Sequence, residues 1–203
     1  MTEAILDLPP PGGYVRPVGW ESYDEAPAGE AWSRFAAALE EGIEAGLAGD
    51  GAEALRRFDA AERALPPDGG YGRLLLGINR AQALLATDDA AGAEREAAAA
   101  LRLARREKNE HWVALAGLGA ALAHLARGRR SAARARLAEA LRGFTRHGEL
   151  LRRVQCHFLL GEVAYLGEDI ARAGTHFRQG AALAREAGEQ EWVELLGLRF
   201  EHR

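Results

Sequence analysis

The chain has 203 residues, a net charge of −4 and 48% hydrophobic residues, which is enough for one or two domains with a sizeable core. Leu and Ala dominate while Val, Ile and Thr are scarce, so helices are favoured over strands. The acidic balance argues against a general attraction to nucleic acid or to anionic membranes. The single cysteine, Cys156, excludes an intrachain disulfide and is typical of a reducing compartment, so we expect a cytoplasmic protein.

The N-terminal region, residues 1–28, holds most of the prolines and has no helical period, which predicts an extended arm. It lacks the basic start and apolar run of a signal peptide, and no apolar segment of the chain approaches the roughly 20 residues of a membrane span. Two interpretations of the arm remain open. It is a disordered tail, or its apolar side chains lie across the folded body or across another copy. Those side chains are Tyr14, Val15, Val18, Trp20 and Tyr23.

From Ala31 onward the apolar residues follow a helical period. Polar or glycine turns, for example at residues 49–51 and 167–169, divide this part of the chain into segments. They predict helices at residues 30–47, 51–65, 71–87, 90–106, 110–127, 130–147, 149–166 and 169–187. A ninth helix, at residues 189–201, is expected to cap the array.

One arrangement of residues recurs four times. Ala54, Phe58 and Ala61 are spaced by four and three, which places them on one face of a helix, and the small residue Gly42 stands twelve positions before Ala54. The later sets are Ala81 with Ala93, Ala97 and Ala100; Ala121 with Ala133, Leu137 and Ala140; and Gly161 with Ala173, Phe177 and Gly180. Successive sets are 39, 40 and 40 residues apart, which indicates a helical repeat array.

Small residues on these faces predict close contact between helices, with Phe58 in the core. Glycine inside a helix costs roughly 1 kcal/mol relative to alanine, and close packing is the expected compensation. The glycines in question are Gly77, Gly117, Gly119, Gly143, Gly161, Gly174 and Gly180. Trp112 and Trp192 occupy equivalent places and are expected to fasten the start of a helix to the preceding unit, exposed binding being the alternative.

The first set consists of Gly42, Ala54, Phe58 and Ala61 and is closed by Pro66. It resembles the tetratricopeptide repeat, in the long-repeat variety of bacterial regulators and scaffolds. The later sets lack the proline. The resemblance implies an all-α fold, a right-handed α-solenoid over residues 29–203. Its helix–turn–helix repeats would span about residues 31–68, 70–108, 110–148 and 149–188, with the capping helix at 189–201.

The resemblance also implies a concave groove that binds an extended or helical peptide. By register, the first helix of each repeat contributes the candidate groove residues Leu39, Ile43, Gly46, Ile78, Asn79, Gln82, Leu85, Leu118, Leu122, Leu125, Phe158, Glu162 and Tyr165. Most of them are apolar, which favours an apolar or amphipathic segment. The alternative is that several of the leucines pack between helices.

Arginines crowd the predicted helix at 130–147, on the side that the resemblance makes convex. The candidate basic patch consists of Arg129, Arg130, Arg134 and Arg142. It is interpreted first as a solvated face. Contact with an acidic partner or a nucleic-acid backbone is the alternative. Acidic residues near the C-terminal end, Glu186, Glu189, Glu191 and Glu194, add the hypothesis of contact between copies.

The sequence carries no G-x-x-x-x-G-K-[ST] loop, no H-E-x-x-H and no C-x-x-C pair. Cys156 and His157 are adjacent, but neighbours on a helix point about 100° apart, so both are expected to pack, as is His124. No catalytic residue, cofactor or metal site is predicted.

These observations predict a non-enzymatic scaffold or adaptor that binds a protein or peptide segment in the groove. The alternative is a ligand- or peptide-sensing regulatory module that acts on a transcription or signalling partner. A homo-oligomer through the arm or the charged flanks is a further hypothesis. A membrane is not expected as a partner, and nucleic acid is disfavoured.

Overall fold

The computed structural model describes residues 14, 29–66 and 69–201, and this part of the chain is helical without strands. Its nine helices are α1 (Glu30–Leu47), α2 (Gly51–Ala64), α3 (Gly70–Ala86), α4 (Ala90–Arg106), α5 (Glu110–Ala126), α6 (Arg130–Arg146), α7 (Leu150–Leu166), α8 (Ile170–Ala187) and α9 (Gln190–Glu201). Every predicted helix boundary lies within one residue of the observed one. The predicted arm, apart from Tyr14, lies outside the described residues.

The turns between successive helices from α3 to α9 are nearly identical to one another. From α3 to α9, one residue of each turn has a left-handed backbone, and these residues recur every 20 positions: Asp88, Lys108, Gly128, Gly148, Glu168 and Gly188. The next amide donates to the carbonyl five positions back, as from Asp89 to Leu84 (2.8 Å) and from Asp169 to Ala164 (3.0 Å). This Schellman arrangement satisfies carbonyls at the helix end and stops the helix.

The residue after each left-handed position lies immediately before the first residue of the following helix. In four turns its side chain accepts a hydrogen bond from the backbone N–H three residues on, and these N-caps are Asp50, Asp89, Asn109 and Asp169. A side-chain oxygen there satisfies an amide that has no partner within the helix. Short polar residues therefore both end one helix and start the next.

Each helix packs against the next one along the chain, and α3 packs in addition against α1 and α5. The core is one continuous apolar cluster that runs from Phe35 to Leu196 along the helices and includes Tyr14. Helix α5 is enclosed almost all round, since every residue from position 114 to 123 is buried. Among the described residues, no helix combines the length and apolar character needed to cross a bilayer.

The repeated face makes the predicted close contacts in the first and last sets. A Cβ on Gly42 would lie 2.4 Å from Cε1 of Phe58, and a Cβ on Gly161 would lie 2.4 Å from Cε1 of Phe177. The two central sets have alanine at the glycine position and a smaller partner, Ala81 with Ala97 and Ala121 with Leu137. The size of one side chain thus matches the space left by the other.

Other interior glycines divide into two groups. Gly143 confirms the packing prediction, because a Cβ there would lie 2.6 Å from the Cβ of Ala114. For Gly119 the prediction is wrong, since no described atom beyond its chain neighbours and the backbone of its own helix lies within 4 Å of the position that a Cβ would take. A helical glycine is therefore a sign of close packing at some positions and not at others.

The two equivalent tryptophans fasten a helix to an earlier one, as expected. Trp112 of α5 stacks on Tyr71 of α3, with ring centroids 5.0 Å apart. Trp192 of α9 is fully buried and meets Phe158 of α7 edge to face, at a centroid distance of 5.8 Å. Both rings link one odd-numbered helix to the next and so add to the contacts between successive units.

Candidate binding site

The candidate groove residues lie mostly in the interior of the described structure. Twelve of the thirteen candidates have a side chain, since Gly46 is a glycine. Ten of these side chains are buried, namely all those in the series from Leu39 to Phe158. Glu162 is partly covered and pairs with Arg199 of α9 at 3.4 Å, while Tyr165 is 39% exposed. The packing alternative accounts for the ten buried side chains. The remaining candidate, Gly46, has a different environment.

Gly46 contacts Tyr14, a residue of the predicted arm. A Cβ on Gly46 would lie 2.2 Å from Cζ and 2.3 Å from the hydroxyl oxygen of Tyr14. The Tyr14 side chain is buried, with 8% of its surface exposed. Its ring also lies beside that of Phe58 on α2, at a centroid distance of 6.5 Å. A residue from outside the helices is therefore seated on the first two helices.

The backbone of Tyr14 is held by α7, far along the chain from α1 and α2. The guanidinium Nη2 of Arg152, in the first turn of α7, donates a hydrogen bond to the Tyr14 carbonyl at 3.2 Å. Tyr14 thus joins α1 and α2 to α7. We call the site formed by Gly46, Phe58 and Arg152 the Tyr14 seat.

Arg152 is an unusual residue to find in this interior position. Burial lowers the pKa of its guanidinium, an effect that nearby Glu149 opposes. A buried cation needs hydrogen-bond acceptors, and the Tyr14 carbonyl and Oε1 of Gln155 (3.1 Å) supply two. The buried guanidinium therefore donates hydrogen bonds to one main-chain oxygen and one side-chain oxygen inside the molecule.

Sequence reasoning did not identify Arg152 or assign Phe58 to a site. A signal for Arg152 was present, because it stands 40 residues after Trp112 and 40 before Trp192. It therefore occupies the tryptophan position of the repeat register. At this position of the register, a charged side chain replaces the aromatic ring that Trp112 and Trp192 supply.

The hydroxyl of Tyr14 has no hydrogen-bond partner among the described residues. Its burial raises the pKa of Tyr14 to about 12. A buried hydroxyl without a partner is unfavourable, so the ring and the carbonyl, more than the hydroxyl, hold Tyr14 in place.

The four arginines of the candidate basic patch are exposed but differ in their contacts. Arg129 pairs with Glu94 of α4, and Arg130 donates to the carbonyl of Leu166 at the end of α7. Arg134 and Arg142 have no ion-pair partner among the described residues. Half of the predicted patch is thus engaged in contacts between helices.

Arg134 and Arg142 border a cleft of about 730 Å³ between α6, α7 and α8. Its walls include Arg172 and His176 of α8, and Leu160 and Val163 of α7 line it with apolar surface. Asp169 also lines the cleft and pairs with Arg172 at 3.3 Å, so the positive charge beside the apolar lining is chiefly that of Arg134 and Arg142. Arg172 and His176 were not among the predicted residues.

His157 and His176 form a pair at the edge of this cleft. Their Nδ1 atoms are 3.2 Å apart, the distance of a hydrogen bond between two neutral imidazoles. Burial lowers the pKa of His157 to about 4, and repulsion from His176 and Arg153 adds to the shift. Burial likewise lowers the pKa of His176.

The neighbouring thiol of Cys156 is fully buried, and burial raises its pKa to about 12. Such a thiol is protonated at neutral pH and is a poor nucleophile. Within the described part of the chain, no three His, Cys, Asp or Glu side chains are grouped so as to hold a metal ion. The histidine pair is therefore interpreted as a packing contact.

Comparisons of this chain with protein-family models, with curated proteins and with solved structures found no match.

Proposed function

We propose that this chain is a non-enzymatic interaction scaffold that binds a protein or peptide segment. In this proposal the helices form a right-handed α-solenoid of four tetratricopeptide-like repeats with α9 as its cap. The packing of each helix on the next, the 20-residue recurrence of the turns and the repeated small-residue face all support it. The proposed location is the cytoplasm.

The observation that carries the proposal is the contact between Arg152 and the Tyr14 carbonyl. Tyr14 lies outside the helices, and the array holds it by a main-chain atom and by its ring. Main-chain recognition is how preformed surfaces bind extended segments of other chains. The helices need little rearrangement to bind, so most of the ordering cost falls on the segment.

The test is selection of ligands for the vacated seat. A displayed library of random 12-residue peptides is selected on full-length Tyr14→Ala protein, which removes the ring from the seat. The same library is selected on Tyr14→Ala/Gly46→Ala, in which a methyl group fills the space over residue 46. We expect sequences that bind the first protein and not the second. Equal enrichment on both proteins, or no enrichment on either, contradicts the proposal.

The second candidate is a regulatory module that senses a peptide or small ligand. It is favoured by one observation: Tyr14 contacts α1, α2 and α7 together, so its departure removes a link between the first two helices and α7. Distance measurements between spin labels on α2 and α8, with and without a selected peptide, test this candidate. A change in distance favours the module, and an unchanged distance favours the rigid scaffold.

A further inference from the structure

We propose that the Tyr14 seat is selective for an aromatic residue of an extended segment and that Tyr14 is its internal occupant, replaceable by a segment in trans. This inference rests on the proposed function and adds the chemical class of the ligand. It also assigns a competitive role to a residue of the chain itself.

The main-chain contact sets the first requirement on the ligand. Arg152 donates to a carbonyl oxygen at 3.2 Å, and its guanidinium is buried. A segment that binds here must present a carbonyl free of helix or sheet hydrogen bonds. Extended segments do so, whereas the carbonyls in the middle of a helix are already occupied.

The ring contacts set the second requirement. The ring of Tyr14 lies so close to the backbone of Gly46 that a Cβ at residue 46 would overlap it, at 2.2 Å from Cζ. Phe58 adds an aromatic neighbour at a centroid distance of 6.5 Å. The planar ring of Tyr14 fits between these groups, and we expect a branched aliphatic side chain, which is thicker than a ring, to bind less well.

The hydroxyl of Tyr14 indicates which aromatic residue is preferred. It is buried over Gly46 with no hydrogen-bond partner among the described residues. Its burial therefore costs desolvation free energy that no hydrogen bond offsets. Phenylalanine keeps the ring and the carbonyl and removes the hydroxyl. We expect it to bind about tenfold more tightly than tyrosine, the factor that corresponds to a typical penalty for one unpaired polar group.

Competition follows from the connection of Tyr14 to the same chain. A tethered group has an effective concentration on the order of 1 mM. A tethered segment with a Kd of roughly 100 µM for the vacant seat fills that seat in about ten of every eleven molecules, so a free peptide should bind the wild-type protein about tenfold more weakly than it binds the vacant seat. Only segments that bind the seat tightly or are present at high concentration would then displace Tyr14.

The probe is a fluorescent synthetic peptide of residues 9–19, PPPGGYVRPVG, measured by polarisation against full-length proteins. The proteins are wild type, Tyr14→Ala, Tyr14→Ala/Gly46→Ala and, as the matched control, Tyr14→Ala/Gly119→Ala. Gly119 is the control because a Cβ there meets no described atom within 4 Å. Peptides with Tyr14→Phe and Tyr14→Ala test the aromatic requirement.

We expect saturable binding to Tyr14→Ala and to its Gly119→Ala control, about tenfold weaker binding to wild type, and no saturable binding when Gly46 is replaced. The Tyr14→Phe peptide should bind best, and the Tyr14→Ala peptide should not bind. The inference is overturned if the peptide fails to bind Tyr14→Ala protein, or if Gly46→Ala has no effect. If the library selection still yields Gly46-dependent ligands, the scaffold proposal stands without this inference.

Discussion

Gly42 and Phe58 occupy one space between α1 and α2: a Cβ on residue 42 would lie 2.4 Å from Cε1 of the Phe58 ring. The central sets solve the same packing problem with other sizes, as in Ala121 with Leu137. The four sets of this chain therefore show which combinations of side-chain size fit at this helix contact.

Gly42→Ala should destabilise the protein by roughly 1–3 kcal/mol, because the added methyl group overpacks the Phe58 ring. Adding Phe58→Leu reproduces the pair of Ala121 and Leu137, so the double variant should lose less stability than the sum of the two single variants. Urea unfolding of all four proteins measures this coupling. Gly119→Ala is the control and should be neutral or stabilising by up to about 1 kcal/mol. Additive losses contradict the size-matching argument.

Phe58→Ala should lower the free energy of unfolding by roughly 3–5 kcal/mol, because the fully buried ring leaves a cavity. Urea unfolding measures the loss. Leu198→Ala, at a side chain that is 54% exposed, should change stability by no more than about 0.5 kcal/mol. A Phe58→Ala protein as stable as wild type is incompatible with a core role for this ring.

Glu168→Gly should stabilise the protein by roughly 0.5–1 kcal/mol. Residue 168 has a φ of 62°, a conformation that is strained for glutamate and free of strain for glycine. The matched control is Glu44→Gly, inside α1, where the same change should destabilise by about 1 kcal/mol. Thermal unfolding of both variants gives the comparison. Two shifts of the same sign argue against the left-handed turn at residue 168.

Acid should destabilise the protein through His157. Its pKa is about 4 in the folded chain and 6.5 as a reference, so the unfolded state binds more protons between these values. The free energy of unfolding is therefore expected to fall as pH decreases from 7 toward 4. His157→Gln should flatten this part of the profile, measured by urea unfolding at pH 7, 6 and 5. His176 and Arg153, which face the imidazole, remain in place in this variant. Parallel profiles for both proteins contradict the assignment.

Much of the helical architecture was accessible from the sequence because it depends on local signals. Helix ends follow from short polar residues and glycines at the turns, and the apolar period marks the faces that pack. The burial of Phe58 and Cys156 follows from the same pattern. The prediction of close packing failed at Gly119 because a glycine in the sequence does not by itself indicate whether another helix lies near it.

The Tyr14 seat was only partly predictable. Register placed Gly46 among the candidate groove residues, and the apolar side chains of the arm suggested contact with the folded body as one of two interpretations. The role of Arg152 depends on Tyr14 lying beside it, although the two are 138 positions apart in the chain. No local pattern encodes such a distance.

The sequence by itself determined where the helices begin and end and which of their faces are buried, because hydrogen bonding at turns and apolar periodicity act over a few residues. Only the tertiary structure decided that Tyr14 meets Gly46, Phe58 and Arg152, and that Arg134 and Arg142 border a cleft with α8. Those contacts depend on how successive helices are rotated relative to one another. That packing is decided by side chains far apart in the chain, and signals that act over a few residues do not specify it.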